Sequence, residues 1–130
     1  SAAVQAIATG VAKKANLDGE TYDNQNEFDP VTNYHFTAKK AGSYLVICNA
    51  LILTLADGNE TTVYIYKNGA NIAQSRAIQG AASHGVAHTS DIVSLVANDY
   101  IEMYVAHTYG ANRDLHNDSA WTYMSIHKLS

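Results

Sequence analysis

The sequence predicts an all-β fold, a two-sheet antiparallel jelly-roll sandwich, and three observations support this prediction. Tyrosine occurs nine times in 130 residues, and β-branched residues accompany it throughout, which is the composition of strands. The chain contains one proline, so glycine and asparagine must make the turns. Short runs of strand-forming residues follow one another between turn signals, without a convincing helical stretch. We expect residues 1–130 to form a single domain.

The expected strands follow the chain from turn to turn. Val4, Ile7 and Val11 in the alanine-rich start fit a loose pair of strands, although this start also has some helical character. Later runs have the length and residue types of strands. We expect nine strands, at Val4–Thr9, Val11–Leu17, Tyr34–Ala38, Ser43–Thr54, Thr61–Lys67, Ile72–Ile78, His88–Val96, Tyr100–His107 and Ala120–Leu129.

Three turn signals separate the central strands. They are Asp57-Gly58-Asn59, Asn68-Gly69-Ala70 and Ala97-Asn98-Asp99. Each contains Asn, Asp or Gly, the residues that adopt positive φ angles most readily. We therefore expect the chain to reverse at these three places.

The run Ser43–Thr54 is apolar on both faces of the strand that it predicts, because side chains alternate along a strand. One face carries Tyr44, Val46, Cys48, Ala50 and Ile52, and the other carries Leu45, Ile47, Leu51 and Leu53, interrupted by Asn49. A strand that is apolar on both faces must be covered on both. In a two-layer sandwich the second cover has to come from a partner chain or from an overlying loop.

Two other strands also present large side chains on the face opposite the core. The core faces carry Val63, Ile65, Ile101, Met103, Val105 and His107, and the opposite faces carry Tyr64, Tyr66, Tyr100, Glu102, Tyr104 and Ala106. Burial of a large apolar side chain contributes about 1.5–3 kcal/mol. We therefore expect an oligomer, with candidate interface residues Tyr64, Tyr66, Tyr100, Tyr104, Leu45 and Ile47. The alternative is that the N-terminal strands or the segment Asp18–Asn33 cover this face within one chain.

Composition and motifs exclude several classes of function. The net charge is −4, and the basic pairs are only Lys13-Lys14 and Lys39-Lys40, which argues against nucleic acid as a partner. No apolar stretch is long enough to insert into a membrane. The single cysteine, Cys48, lies in an apolar run and is expected to be a small buried side chain. The chain has no nucleophile-elbow motif and no phosphate-binding glycine loop, so we expect no enzymatic activity.

The longest polar stretch, Ala106–Ser119, is the candidate ligand-binding loop. Its candidate residues are Tyr109, Asn112, Arg113, Asp114 and His116. An aromatic ring, an amide, a guanidinium and a carboxylate are the groups that read the ring face and hydroxyls of a sugar, and binding residues often lie on loops held by a rigid scaffold. The alternative is an ordinary solvated loop in which Arg113 pairs with Asp114 or Asp118.

We expect no bound cofactor or metal, although two weaker possibilities exist. His84 and His88 are four residues apart and share one side of an extended strand, so one histidine from each of three chains could bind a transition metal. The acidic clusters Asp18-Gly19-Glu20 and Glu27-Phe28-Asp29 could offer oxygens to calcium, but neither matches a dedicated calcium loop.

Several short motifs occur in a family-like order between about Tyr22 and Leu129. They are Tyr22-Asp23, Phe28-Asp29, Tyr34, Phe36-Thr37, Ala41-Gly42-Ser43-Tyr44-Leu45, Tyr66-Lys67-Asn68-Gly69, Ile92-Val93-Ser94-Leu95, Asn98-Asp99-Tyr100-Ile101 and Ser119-Ala120-Trp121. In this order they resemble the trimeric jelly rolls of the tumour-necrosis-factor and complement-first-component globular heads. The opening Leu17–Asp23 is closer to bacterial and phage members. Asn98 stands where that superfamily usually has glycine, and asparagine also adopts the left-handed conformation.

The resemblance implies a trimer with an extracellular, cell-surface or virion-surface role in recognition. The function it indicates is a non-enzymatic recognition head that binds a carbohydrate or a cell-surface receptor, as at the tip of a phage fibre or on a bacterial surface protein. Two alternatives remain open: a structural trimerisation cap without a ligand, and a carbohydrate-binding accessory module of a polysaccharide-degrading enzyme. A fold family does not fix the ligand.

Overall fold

A computed structural model describes residues 5–17, 34–118 and 120–130, and these ranges contain ten strands and no helix. The strands are β1 Gln5–Ile7, β2 Lys13–Lys14, β3 Phe36–Thr37, β4 Gly42–Leu55, β5 Glu60–Lys67, β6 Ala70–Ile78, β7 Ser83–Leu95, β8 Tyr100–His107, β9 Arg113–Leu115 and β10 Tyr123–Lys128. The prediction of an all-β fold is confirmed.

The strands form two antiparallel sheets of five strands each. The first, which we call the β4 sheet, contains β1, β9, β4, β10 and β7, and the second, the β5 sheet, contains β2, β3, β8, β5 and β6. At the centre of the β4 sheet, Cys48 of β4 lies opposite Thr89 of β7 and Met124 of β10. The chain passes repeatedly from one sheet to the other, as in a jelly roll.

The core between the sheets follows the alternation that the sequence predicts. The β4 sheet contributes Tyr44, Val46, Cys48, Ala50 and Ile52, and the β5 sheet contributes Val63, Ile65, Ile101, Met103 and Val105, all of them buried. Burial raises the pKa of the Cys48 thiol far above its usual value. Because the thiolate is the reactive form, Cys48 acts as a packing residue.

Several expectations about strand limits are wrong: the strand expected at His88–Val96 begins at Ser83, and the one expected at Tyr34–Ala38 is only Phe36–Thr37. The segment 106–119, expected as one polar loop, contains β9, in which Arg113 lies opposite Ile7 of β1. The run Val11–Leu17 forms only the two-residue β2. The last strand begins at Tyr123, and before it the N–H groups of Trp121 and Thr122 both donate to the Asp118 carbonyl, each at 3.0 Å.

The three predicted reversals are confirmed by their backbone angles. Gly58 has φ 85°, Asn68 and Gly69 have φ 51° and 84°, and Asn98 has φ 79°. Two consecutive positive angles are the geometry of the two-residue hairpin turn that matches strand twist. Asn98 adopts the left-handed conformation expected at this glycine-like position.

Candidate functional site

The predicted ligand-binding loop lies at one end of the sandwich, which we call the upper end and define by the loops 8–12, 56–59, 79–82 and 108–112. Hydrogen bonds hold these loops together. Asn59 Nδ2 donates to the Thr108 carbonyl at 3.3 Å, the Gly110 N–H donates to Thr9 Oγ1 at 2.9 Å, and the Gly58 N–H donates to the Gln79 carbonyl at 2.8 Å. The upper end is therefore a connected surface on a rigid scaffold, which is where binding residues are commonly found.

His107, the last residue of β8, lies next to the upper end and makes two hydrogen bonds with its ring nitrogens. Its side chain is buried, and its Nδ1 accepts the N–H of Tyr109 at 3.2 Å. Because Nδ1 is occupied as an acceptor, Nε2 carries the ring hydrogen and donates to the Ile7 carbonyl at 2.7 Å. His107 thus joins β8 of one sheet to β1 of the other through one hydrogen bond, and through a second it fixes the backbone position of Tyr109.

Tyr109 and Arg113 are the two predicted ligand residues that the structure brings together. Arg113 follows the same alternation as buried Leu115, so its side chain starts toward the space between the sheets. The Cζ atom of Arg113 lies 3.7 Å from the centre of the Tyr109 ring, and the ring itself packs against the core. A guanidinium at this distance forms a cation–π contact.

Within the described ranges, Arg113 has no hydrogen-bond or ion-pair partner. Its Nε is buried without an acceptor. The pairs with Asp114 or Asp118 that an ordinary solvated loop would offer do not form, because the ion pairs of the described residues lie elsewhere. An unpaired guanidinium with one buried nitrogen is unusual, since buried polar groups are normally hydrogen-bonded.

The structure separates the other three predicted ligand residues from this pair. Asp114 is exposed on the opposite side of β9, in register with Ala6. Asn112 is exposed ahead of the strand. His116 follows β9, where its Nδ1 accepts the Asp118 N–H at 2.9 Å and its own N–H donates to the Leu51 carbonyl at 2.8 Å. The alternation Arg113, Asp114, Leu115 is the sequence signal that could have revealed β9 and this division.

Leu45 and Ile47, two of the predicted interface residues, lie on the outward face of the β4 sheet. Leu45 is opposite Ile92 of β7, whose side chain is 62% exposed, and Ile47 is opposite Ser90. Leu51 of the same face is already buried within the chain. The outward face of this sheet therefore carries apolar side chains that we call the β4 strip and define as Leu45, Ile47, Val86 and Ile92. Leu45 and Ile92 lie side by side, whereas Asn49 and His88 lie between them and Val86.

The four predicted interface tyrosines lie on the outward face of the other sheet. Tyr66 and Tyr104 stack with ring centres 3.9 Å apart, and Tyr64 meets Tyr66 edge-on at 6.0 Å. Tyr100 stacks on His35 at 4.7 Å. The six predicted interface residues thus divide between opposite faces of the sandwich, so no single patch of one chain contains both groups.

Glu102 lies among these tyrosines and is almost fully buried by its neighbours. Its carboxylate is 3.1 Å from Lys14 Nζ and 3.6 Å from His35 Nδ1. Burial, and then the negative charge of Glu102, raise the pKa of the Tyr104 hydroxyl. The tyrosine face, which carries Tyr64, Tyr66, Tyr100 and Tyr104, therefore makes stacking contacts and ion pairs within the chain, in contrast to the β4 strip.

Both metal possibilities stay predictions, because the histidine site depends on three chains and the acidic clusters lie outside the described residues. His84 and His88 share the outward side of β7, but four residues of strand separate them by about 13 Å, too far for one ion within one chain. His84 Nδ1 also accepts the Thr54 N–H at 3.0 Å. No group of three metal-ligating side chains occurs in the part of the chain that the structure describes. The acidic clusters of residues 18–20 and 27–29 lie outside that part.

Comparison with known proteins identifies solved structures with a similar fold. No family model matches the chain, and no curated protein matches it in sequence. Among solved structures, Eiger TNF from S. frugiperda shares 15% identity over 79% of this chain and 68% of that chain, with a TM-score of 0.61. Murine APRIL shares 15% identity over 73% and 72% of the two chains, with a TM-score of 0.57. The globular domain of zebrafish complement 1qA protein shares 10% identity over 96% and 95%, with a TM-score of 0.57.

These similarities confirm the jelly-roll fold that the sequence motifs predicted. At such low identity they show the fold alone. The described residues also contain no helix long and apolar enough to cross a membrane.

Proposed function

Because the chain has the jelly-roll fold of the tumour-necrosis-factor and complement-head structures, we propose that it is a non-enzymatic recognition head. It assembles as a homotrimer and binds a carbohydrate at its upper end, on an extracellular, cell or virion surface. The observation that carries this proposal is the Arg113 guanidinium, stacked on Tyr109 and without a partner in the described part of the chain. A charged group held in place but not used within the chain is available for a ligand.

The β4 strip supports the trimer. Ile92 is 62% exposed beside the half-buried Leu45, and Val86 is 38% exposed farther along β7, so this face leaves apolar surface that a partner can cover. Burial of each large apolar side chain contributes about 1.5–3 kcal/mol. Burial of this strip between copies contributes free energy that opposes the cost of lost independent motion. Threefold assembly also brings three upper ends together, and this multiplies a weak affinity for a repeated sugar.

A structural trimerisation cap is the second candidate, because the β4 strip supports assembly whether or not a ligand exists. The two candidates differ at the upper end. In a cap, Arg113 and Tyr109 only close the end of the core, so their replacement changes stability and nothing else. In a recognition head, the same replacement abolishes binding.

A glycan panel tests the proposal with the intact chain. The wild type is expected to bind a subset of glycans, and Arg113→Ala is expected to lose that binding while the solution mass is unchanged. Asp114→Ala is the matched control, because Asp114 is the next residue but points to the opposite side of β9. Wild-type protein that binds nothing in the panel would favour the cap. Binding that survives Arg113→Ala would place the ligand elsewhere.

A further inference from the structure

We infer that the ligand of the upper end carries an anionic group, a carboxylate or a sulfate, which Arg113 binds directly. The inference rests on the proposed function and adds the chemical class of the ligand. It departs from the sequence-based expectation of a mixed polar site, in which an aromatic ring stacks on the sugar and an amide and a carboxylate read its hydroxyls.

Tyr109 is poorly suited to stack on a sugar. Arg113 occupies one face of the ring, and the ring also packs against the buried core. A sugar that stacked on this ring would first have to displace the guanidinium. Tyr109 is therefore a positioning residue, and what the pair offers to a ligand is the charge of Arg113.

The charge of Arg113 is not balanced by the acids of the described residues nearby. Asp114 points to the other side of β9. The Asp118 carboxylate accepts the Ala120 N–H at 2.9 Å, and Glu60, at the start of β5, is paired with Arg76 at 3.1 Å. Although the whole chain has a net charge of −4, Arg113 forms no ion pair with any acid of the described residues.

The geometry of Arg113 suits a planar or tetrahedral oxyanion. Stacking on the ring holds the guanidinium plane, so less conformational freedom is lost when a ligand binds. The guanidinium has five N–H donors in a fixed arrangement, and in the described ranges no acceptor bonds to them. Two parallel N–H donors match two oxygens of a carboxylate or a sulfate, which is the strongest form of such a contact.

The test compares polymers that differ only in charge. Polygalacturonate and its methyl ester differ in the carboxylate, and dextran sulfate and dextran differ in the sulfate. The wild type is expected to bind at least one acidic polymer about tenfold more tightly than its neutral partner, since a charge-assisted pair is lost in the neutral one. The arm that shows the preference identifies the oxyanion.

Variants then assign the preference to Arg113. Arg113→Gln is expected to remove it, and Arg113→Lys, which keeps the charge but not the two-pronged contact, is expected to keep part of it. Lys13→Gln is the control for general electrostatics, because Lys13 is an exposed cation of β2 near the same end. Tyr109→Phe is expected to keep the preference and Tyr109→Leu to lose it, with the melting temperature of each variant recorded.

The outcomes separate this inference from the proposed function. Equal binding of the acidic and neutral polymers by the wild type contradicts the inference and leaves a carbohydrate-binding head intact. An acid preference that Lys13→Gln weakens as much as Arg113→Gln shows general charge attraction and also contradicts it. If the wild type binds neither these polymers nor any member of the glycan panel, the proposed function fails together with the inference.

Discussion

The side-chain amide of Asn68 donates a hydrogen bond of 3.0 Å to the carboxylate of Asp99, which joins two turns 31 residues apart in the chain. The connection is reciprocal, because Asn68 Oδ1 accepts the Tyr100 N–H at 2.9 Å and Asp99 Oδ2 accepts the Val96 N–H at 2.9 Å. Lys67 Nζ lies 3.9 Å from the same carboxylate. Hydrogen bonds of Asn68 and Asp99, with an ion pair from Lys67, therefore hold these two turns together.

Asp99→Asn is expected to destabilise the fold in a pH-dependent way. The hydrogen bonds from Val96 and Asn68, with the charge of Lys67, lower the pKa of Asp99 below its ordinary value of 3.8. A lowered folded-state pKa adds stability above the unfolded-state pKa, and that contribution is lost as the pH falls through the folded-state pKa. Thermal unfolding should show a wild-type advantage near neutral pH that shrinks as the pH falls below the ordinary Asp pKa of 3.8. Asp57→Asn, in an exposed turn, is the control, and an advantage that does not change with pH contradicts this account.

Gly85→Ala is expected to destabilise the fold by about 1–3 kcal/mol through overpacking. A Cβ atom on Gly85 of β7 would collide with Thr61 Oγ1 and lie 2.6 Å from Leu55 Cδ1. Gly80→Ala is the matched control, since a Cβ there meets nothing within 4 Å. Urea unfolding measures both variants. Thr61→Ala in the Gly85→Ala background should recover part of the loss, and equal stability of the two glycine variants would show that this contact is absent.

Thr54→Asn is expected to stabilise the fold by about 1 kcal/mol, because asparagine tolerates the left-handed conformation better than a β-branched residue. Thr54 has φ 60° at an irregularity in the pairing of β4 with β7, and its side chain is exposed. The shift in the denaturation midpoint measures the effect. Gln74→Asn, in regular strand β6 on the other sheet, should bring no gain, and a loss at Thr54→Asn would mean that the threonine side chain is needed.

Ile92→Asp is expected to convert the trimer to monomers. Ile92 is mostly exposed in one chain, so the substitution costs little within that chain, but it places an unpaired charge in the β4 strip. Val11→Asp is the control, because Val11 is 63% exposed at the upper end. Light scattering measures the mass of both variants. A trimer of unchanged mass and stability after Ile92→Asp would exclude the β4 strip as the interface.

Tyr104→Glu distinguishes the two outward faces that the sequence could not separate. The variant is expected to lower the melting temperature, because it removes the stacking on Tyr66 and adds a charge near Glu102. The trimer mass should persist if the β4 strip is the interface. Dissociation with unchanged chain stability would instead assign assembly to the tyrosine face.

Sequence alternation predicted which side of each long strand is buried, and the structure confirms this for β4 and β8. It could not predict that Leu45 and Tyr104 lie on opposite faces of the molecule. Alternation describes a strand relative to itself, whereas sheet membership depends on pairing between residues far apart in the chain. The ligand residues were predicted as one polar loop for a similar reason. Strand β9 is three residues long and mostly polar, so its composition does not indicate a strand. Its pairing with β1 is what makes it one.

Solution mass, measured by light scattering during gel filtration at several concentrations, tests the central claim most directly. The account predicts a mass three times that of the 14.0 kDa chain, kept in the presence of a chelator because assembly depends on apolar contact. A mass of one chain at every concentration would contradict it. The β4 strip would then be an ordinary exposed surface, and the chain could not be a trimeric recognition head.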